Sequence, residues 1–108
     1  MKDRAGPNRS VSSAWHKQTQ MVRAGSMRSN FGEMSEALFL TSGFAYDSAE
    51  EAEARFDGRA EGFTYSRQTN PTVAMFEERM ALLEGADVGR ATGTGMAAMT
   101  ASLLSFLR

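Results

Sequence analysis

Two short segments of this chain carry residues that can bind a phosphate, each by a different chemistry. Arg67 offers a planar guanidinium that can pair with two phosphate oxygens at once, and Tyr65 can add a hydroxyl donor from the same side of an extended segment. Gly93 and Gly95 lack a Cβ, so an anion can approach the backbone there. The apolar run from Met96 onward predicts a helix whose first N–H groups are free to bind that anion.

Capping residues predict three helices and an apolar run predicts a fourth, and together these helices must position the two segments. A serine suits the cap of the first helix, and an aspartate or a serine suits that of the second. An asparagine followed by proline, which is favoured at the first helical position, suits the third. Glycine just past the last turn ends a helix. The predicted elements are a helix over about 14–23 capped by Ser12 or Ser13, a helix from Asp47 or Ser48 to Gly58, a helix from Asn70 and Pro71 to Gly85, a short strand near 88–92 and a helix over about 96–107.

Apolar spacing predicts which helix faces are buried. The third helix carries apolar residues at intervals of three and four, and the last helix bears no charge before Arg108. One strand and a few helices cannot cover an all-apolar helix, so we expect exposed apolar surface and a larger α/β protein of which these residues form the N-terminal portion. The predicted buried residues are Val73, Phe76, Met80 and Leu83 in the third helix, and Met96, Met99, Leu103 and Phe106 in the last.

Composition excludes several classes of protein. The 108 residues suffice for one small domain, and the net charge of -1 argues against a general nucleic-acid or membrane-surface role. The chain has no cysteine and a single histidine, His16, which argues against a zinc site and fits a cytoplasmic location. Three glutamates, Glu50, Glu51 and Glu53, are interpreted as a solvated helix face rather than a metal site. The polar start and the 17-residue charge-free run 91–107, which opens with a threonine and glycine turn, predict neither a signal peptide nor a membrane span.

Several motifs together resemble the Cys/Met-metabolism family of pyridoxal-phosphate-dependent enzymes. They cover roughly residues 18–107, and within the family the pattern is most similar to the sulfhydrylases that act on O-succinylhomoserine. Together they are far more specific than any one of them. The motifs are Tyr65–Thr72, Leu40–Phe44, Tyr46–Ala49, Leu83–Gly85 and Gly95–Ala98.

This resemblance implies an α/β fold of the fold type I, aminotransferase-like class, of which this chain would hold an incomplete part. It also implies a homotetramer built from dimers, with an N-terminal arm that reaches a neighbouring subunit. The expected organisation is a disordered leader over 1–11, an N-terminal helix and arm over 12–66, and the start of the pyridoxal-phosphate-binding large domain over 67–108.

The resemblance also implies a role for each phosphate-binding residue. Tyr65 and Arg67 would hold the cofactor phosphate of the adjacent subunit. The backbone N–H groups of Gly95 and Met96, beside Thr94, which keeps the hydroxyl of the serine usual in the family, would hold the phosphate bound in their own subunit. The cofactor-binding lysine, the aspartate on the pyridine nitrogen and a stacking aromatic are expected beyond residue 108. Lys2 and Lys17 match no such motif, so no catalytic residue is predicted here and the 108 residues alone are not expected to be active.

The implied reaction replaces the succinate of O-succinylhomoserine by sulfide, giving homocysteine for methionine biosynthesis. Cystathionine γ-synthase and γ-lyase activities of the same family stay open alternatives. A dinucleotide-binding fragment is a rival, since Gly93-x-Gly95-x-x-Ala98 fits a permissive fingerprint, but Asp87 and Arg90 interrupt the apolar strand that should precede it. A non-catalytic assembly segment is a second rival. No nucleic acid or membrane is expected as a partner.

Overall fold

A computed structural model of the chain describes residues 14–107. Over this range the chain forms four helices joined by extended and turn segments. The predicted leader over 1–11 lies outside the described residues, as do Ser12, Ser13 and Arg108. The helices are α1 (Lys17–Arg23), α2 (Ala49–Phe56), α3 (Pro71–Glu84) and α4 (Gly95–Phe106).

Helix α1 begins later than predicted. Its N-cap is His16, whose side chain makes no capping hydrogen bond, so the predicted start at Ala14 with a serine cap is wrong. The side-chain amide of Gln20 donates to the carbonyl of Trp15 at 2.9 Å, and the first helical bond runs from the Gln20 N–H to the His16 carbonyl. The predicted end is confirmed, because Ala24 is the C-cap and Gly25 follows with φ of 72°.

The predicted caps of α2 and α3 are confirmed. The Ser48 hydroxyl accepts the N–H of Glu51, and the Asn70 side chain accepts the N–H of Thr72 directly before Pro71. Each bond satisfies one of the N–H groups that a helix start leaves without a partner. Gly58 and Gly85 follow the helices with left-handed φ angles of 72° and 67°, which glycine adopts without steric cost.

A small core lies where α1 meets α3, the main contact between helices in the described part of the chain. Ala24, Met75 and Ala81 are its buried apolar residues. Gly25 makes the approach possible, because a Cβ there would lie 2.8 Å from the carbonyl oxygen of Met75. The guanidinium of Arg79 completes the contact by donating to the carbonyl of Ala24 at 2.9 Å.

The predicted buried face of α3 is therefore wrong in part. Val73 is 42% exposed and Phe76 is 54% exposed, whereas Met75 is almost fully buried. The contact with α1 decides this, since the close backbone approach selects the face that carries Met75 and Arg79. Spacing alone could not distinguish that face from its neighbour, because apolar residues occur around most of the helix.

No strand forms at residues 88–92, so that prediction is wrong for this chain. Across residues 14–107 the β-type pairing amounts to one antiparallel bridge, between Gly43 and Tyr65. A strand exists only when a second strand pairs with its backbone, and nothing in this range does so for 88–92. The α/β arrangement expected from the sequence is thus present here only in its helical elements.

Helix α4 buries no residue within this chain, and only Ala98 of it is half-buried. Met96, Met99, Leu103 and Phe106 were predicted as core, yet they are 60–85% exposed. The expectation that the chain leaves apolar surface uncovered is confirmed. No helix within 14–107 has the length and apolar content needed to cross a membrane.

Candidate phosphate-binding site

Tyr65 and Arg67 lie in a tight turn at the start of the segment that leads into α3. The carbonyl of Tyr65 accepts the N–H groups of Gln68 and Thr69 at 2.9 and 3.1 Å, which closes the turn. Tyr65 also pairs with Gly43 in the antiparallel bridge. The turn therefore has a fixed backbone, while both the tyrosine and the arginine side chains stay exposed.

Asn70 joins this turn to the neighbouring extended segment. Its side-chain nitrogen donates to the carbonyl of Phe39 and to the hydroxyl of Ser66, both at 2.9 Å, while its oxygen caps α3. The Ser66 hydroxyl donates onward to the carbonyl of Thr41, and the Thr72 hydroxyl accepts the N–H of Phe39. Asn70 is only 7% exposed, so these bonds form away from competing water. These side-chain bonds thus act together with the backbone bond from the Ser66 N–H to the Ser42 carbonyl, at 2.9 Å, to hold the turn in place.

Arg67 differs from every other arginine within residues 14–107. Its guanidinium carbon lies 5.3 Å from the ring centroid of Tyr65, and no oxygen of the described chain accepts from it. An exposed guanidinium beside a tyrosine ring suits a phosphate from outside the chain. The other arginines each donate to at least one oxygen: Arg23, Arg28, Arg55, Arg59, Arg79 and Arg90.

The second candidate segment is the turn that opens α4. Thr94 is the N-cap, and its hydroxyl accepts the N–H of Ala97 at 3.1 Å. Its carbonyl accepts both the Ala98 N–H and the Thr92 hydroxyl. The cap role of Thr94 was missed in the sequence, although a threonine directly before an apolar run is its usual signal.

The backbone donors of this turn are free within the chain. The N–H groups of Gly95 and Met96 find no acceptor among the described residues, as expected for the first residues of a helix. A Cβ at Gly93 or Gly95 would meet no atom within 4 Å, and neither residue has a left-handed φ. Both glycines therefore leave the backbone open to a ligand without being required by the fold of this chain.

The donors at the two segments fit a phosphate. One segment supplies a guanidinium and a phenol, and the other supplies two N–H groups at the positive end of a 12-residue helix. Within residues 14–107 no hydrogen bond joins the two segments directly. The structure instead connects both of them to α3: Asn70 holds the Tyr65 turn, and Glu77 accepts the N–H of Ala91 ahead of α4.

Two of these supporting residues have roles that the sequence did not predict. Asn70 was predicted as a cap, but not as the donor that fixes Ser66 and Phe39. Glu77 lies outside the apolar face predicted for α3, yet its side chain is only 17% exposed. No local signal distinguishes Glu77 from its neighbour Glu78, because its partners lie more than ten residues further along the chain. Within residues 14–107, no group of three His, Cys, Asp or Glu side chains is placed so that it could hold a metal ion, and this includes the glutamates of α2.

Sequence comparison identifies relatives over most of the chain. The sequence model described as Cys/Met metabolism PLP-dependent enzyme matches residues 18–108. The O-succinylhomoserine sulfhydrylase of Mycobacterium tuberculosis is 51% identical over 86 residues, which are 80% of this chain and 21% of that protein. The enzyme of the same name from Pseudomonas aeruginosa is 52% identical over 87 residues, 81% of this chain and 22% of that protein. The L-methionine gamma-lyase of Treponema denticola is 34% identical over 89 residues, 82% of this chain and 22% of that protein.

Structural comparison agrees with the sequence matches. A crystal structure of a putative O-acetylhomoserine (thiol)-lyase from Campylobacter jejuni, which carries N'-pyridoxyl-lysine-5'-monophosphate, superposes with a TM-score of 0.79 at 27% identity. The match covers 83% of this chain and 21% of that one. The chain spans about a fifth of the length of the curated relatives it matches. These matches show that the chain belongs to the Cys/Met metabolism family of pyridoxal-phosphate-dependent enzymes.

Proposed function

We propose that this chain supplies two sets of phosphate donors to a pyridoxal-phosphate-dependent enzyme. Tyr65 and Arg67 would hold the cofactor phosphate of a neighbouring subunit, and Thr94, Gly95 and Met96 would hold the phosphate of their own. The observation that carries this proposal is the unpaired guanidinium of Arg67, since every other arginine in the described range already donates to an oxygen. An exposed guanidinium that donates to no oxygen of the described chain is available to an anion from outside it.

Each group in this assignment has a distinct physical task. The guanidinium and phenol bind oxygens through side chains, so they contribute charge and direction. The N–H groups of Gly95 and Met96 bind through the backbone, and their helix adds partial positive charge. The Thr94 hydroxyl uses a lone pair to cap α4, which leaves its proton free to donate to the phosphate. Pyridoxal phosphate, when bound, supplies an electron sink that stabilises carbanions.

The residue that attaches the cofactor is expected outside the described range. Lys17 is the single lysine within residues 14–107, and its amine lies 3.4 Å from the carbonyl of Leu83, beside the α1–α3 contact. Neither phosphate-binding segment includes it. We therefore assign these residues to holding and orienting the cofactor, and not to the covalent step.

For the reaction of the whole enzyme, we propose replacement of succinate in O-succinylhomoserine by sulfide, which yields homocysteine for methionine biosynthesis. The relatives with 51–52% identity carry the sulfhydrylase name, whereas the L-methionine gamma-lyases share 31–38%, and this difference supports replacement. Elimination is the second candidate, because several relatives are lyases. We further propose that the subunits have the fold type I architecture, which the structural match to the Campylobacter jejuni protein supports. We also propose that they form a homotetramer in the cytoplasm.

Spectroscopy and product analysis test these proposals. The full-length gene product, supplied with pyridoxal phosphate, should develop an absorbance band near the visible edge that free cofactor lacks. With O-succinylhomoserine and sulfide it should then release homocysteine. Release of a keto acid and ammonia at the same rate with or without sulfide would favour elimination. Failure of the band to appear would contradict the cofactor proposal itself.

A mixed-subunit experiment tests which subunit each donor serves. Arg67→Ala removes one set of donors, and Gly95→Val blocks the other by placing a branched side chain at the start of α4. If Arg67 serves the neighbouring subunit, a dimer with one variant of each kind regains one intact site, while each variant alone has none. If Arg67 serves its own subunit, the mixed dimer has no intact site. Tight cofactor binding at about half the sites of the mixed dimer is the expected result, and its absence would overturn the assignment across subunits.

A further inference from the structure

The carboxylate of Glu77, in the middle of α3, holds the segment that leads into α4. One of its oxygens accepts the backbone N–H of Ala91 at 2.7 Å, and the other accepts from the guanidinium of Arg90 at 3.2 Å. The Glu77 side chain is 17% exposed, whereas that of Arg90 is 77% exposed. The bond to Ala91 is therefore the better shielded of the two.

The same segment lies against the backbone of α3. A Cβ at Gly89 would come within 2.7 Å of the carbonyl oxygen of Glu77, so only glycine permits this approach. No backbone–backbone hydrogen bond connects residues 87–93 to the rest of the described chain, and these residues form no strand. Within this range, the carboxylate of Glu77 thus sets where the segment lies.

The distance along the chain from this contact to the phosphate donors is short. Ala91 precedes Thr94 by three residues, and the Thr92 hydroxyl donates to the Thr94 carbonyl at 2.8 Å. The hydroxyl of Thr94 caps α4 in turn. A shift of Ala91 would therefore move the N–H groups of Gly95 and Met96.

We propose that Glu77 is a positioning residue for the phosphate site at the start of α4, an inference that rests on the function proposed above. The carboxylate fixes Ala91, and through it the direction of the free N–H groups of Gly95 and Met96. Arg90 pairs with the same carboxylate at 3.2 Å and offsets part of its negative charge. The essential feature is an acceptor oxygen on a side chain long enough to bond the Ala91 N–H, which a glutamine at 77 would also provide.

The test compares pyridoxal phosphate with pyridoxal, which lacks the phosphate, in the full-length gene product. Glu77→Ala should raise the dissociation constant for pyridoxal phosphate about tenfold, roughly the effect of one charge-assisted hydrogen bond. The constant for pyridoxal should not change, so the preference for the phosphorylated form falls by the same factor. Glu77→Gln should keep the parent's preference, because its amide oxygen still accepts from Ala91. Glu84→Ala, at an exposed position near the end of the same helix, is the matched control and should leave both constants unchanged.

The outcomes separate this inference from the function on which it rests. A parent protein that binds pyridoxal phosphate and pyridoxal equally would contradict the proposed phosphate site. A parent that prefers pyridoxal phosphate, together with a Glu77→Ala variant that keeps this preference, would overturn only the role of Glu77. An equal loss for both ligands would also overturn it, since a general structural defect would explain that result. If Glu77→Ala does not fold, Glu77→Asp is measured instead. Because its side chain is shorter, this variant should lose the preference for pyridoxal phosphate over pyridoxal, and an unchanged preference would refute the inference.

Discussion

Replacing Arg67 by alanine should lower cofactor affinity while leaving stability almost unchanged. In the described chain the guanidinium contacts only the ring of Tyr65, at 5.3 Å, and both side chains are exposed. An exposed cation–π contact is worth about 0.5–1 kcal/mol, so the free energy of unfolding of the apoprotein should fall by at most that amount.

The expected loss of affinity is larger than the loss of stability. A single hydrogen bond between charged groups contributes about 1.5–3 kcal/mol, which corresponds to a rise of about tenfold to 150-fold in the dissociation constant for pyridoxal phosphate. Arg67→Lys should show a smaller loss, because an ammonium keeps the charge but cannot form two parallel bonds to the phosphate.

Titration of the full-length apoprotein with pyridoxal phosphate, followed by absorbance, measures the affinity, and denaturant unfolding measures the stability. Arg59→Ala is the matched control, because that arginine is also exposed but pairs with Asp57 and Glu53. It should lose under about 1 kcal/mol of stability and keep the parent's affinity. An Arg67→Ala variant that binds the cofactor within twofold of the parent would refute the role of Arg67.

Three further predictions follow from single residues. Gly25→Ala should destabilise the fold by about 1–3 kcal/mol, because a left-handed φ at this position is combined with a clash against the backbone of α3. Gly32→Ala should lower the stability less, because the surroundings of Gly32 are open. Denaturant unfolding of the two variants measures the difference. Gly93→Ala should raise the free energy of unfolding by about 0.4–1 kcal/mol, because a Cβ there meets no atom of the chain and the unfolded chain loses conformational freedom. A lower stability would contradict this reasoning. Hydrogen bonds from the Ser29 hydroxyl and N–H lower the pKa of Glu33 in the folded protein. The stability that they contribute is therefore fully present above the pKa that Glu33 has in the unfolded chain, and it is lost as the pH falls through the lower pKa of the folded protein. Ser29→Ala should bring that pKa back toward its ordinary value, which an NMR titration of Glu33 would detect.

Local physical chemistry made much of this protein predictable from its sequence. The caps at Ser48 and Asn70 and the end at Gly85 involve residues within a few positions of one another, so their bonds depend little on the rest of the fold. The all-apolar character of α4 likewise implied that this chain would leave it uncovered. The motifs around Tyr65, Arg67 and Gly95 indicated the family, and the comparisons confirmed it.

Contacts between distant residues were decided only by the tertiary structure. The strand expected at 88–92 needs a pairing partner that the described chain does not provide, and α3 buries the face that the approach of Gly25 selects. The bond from Asn70 to Phe39 links residues 31 positions apart, and the bond from Ala91 to Glu77 links residues 14 positions apart. No local pattern encodes either of them. The sequence determined which residues have the chemistry to bind a phosphate, because that chemistry belongs to the side chain or the helix start. The tertiary structure determined how those residues are held, because their supports come from elsewhere in the chain.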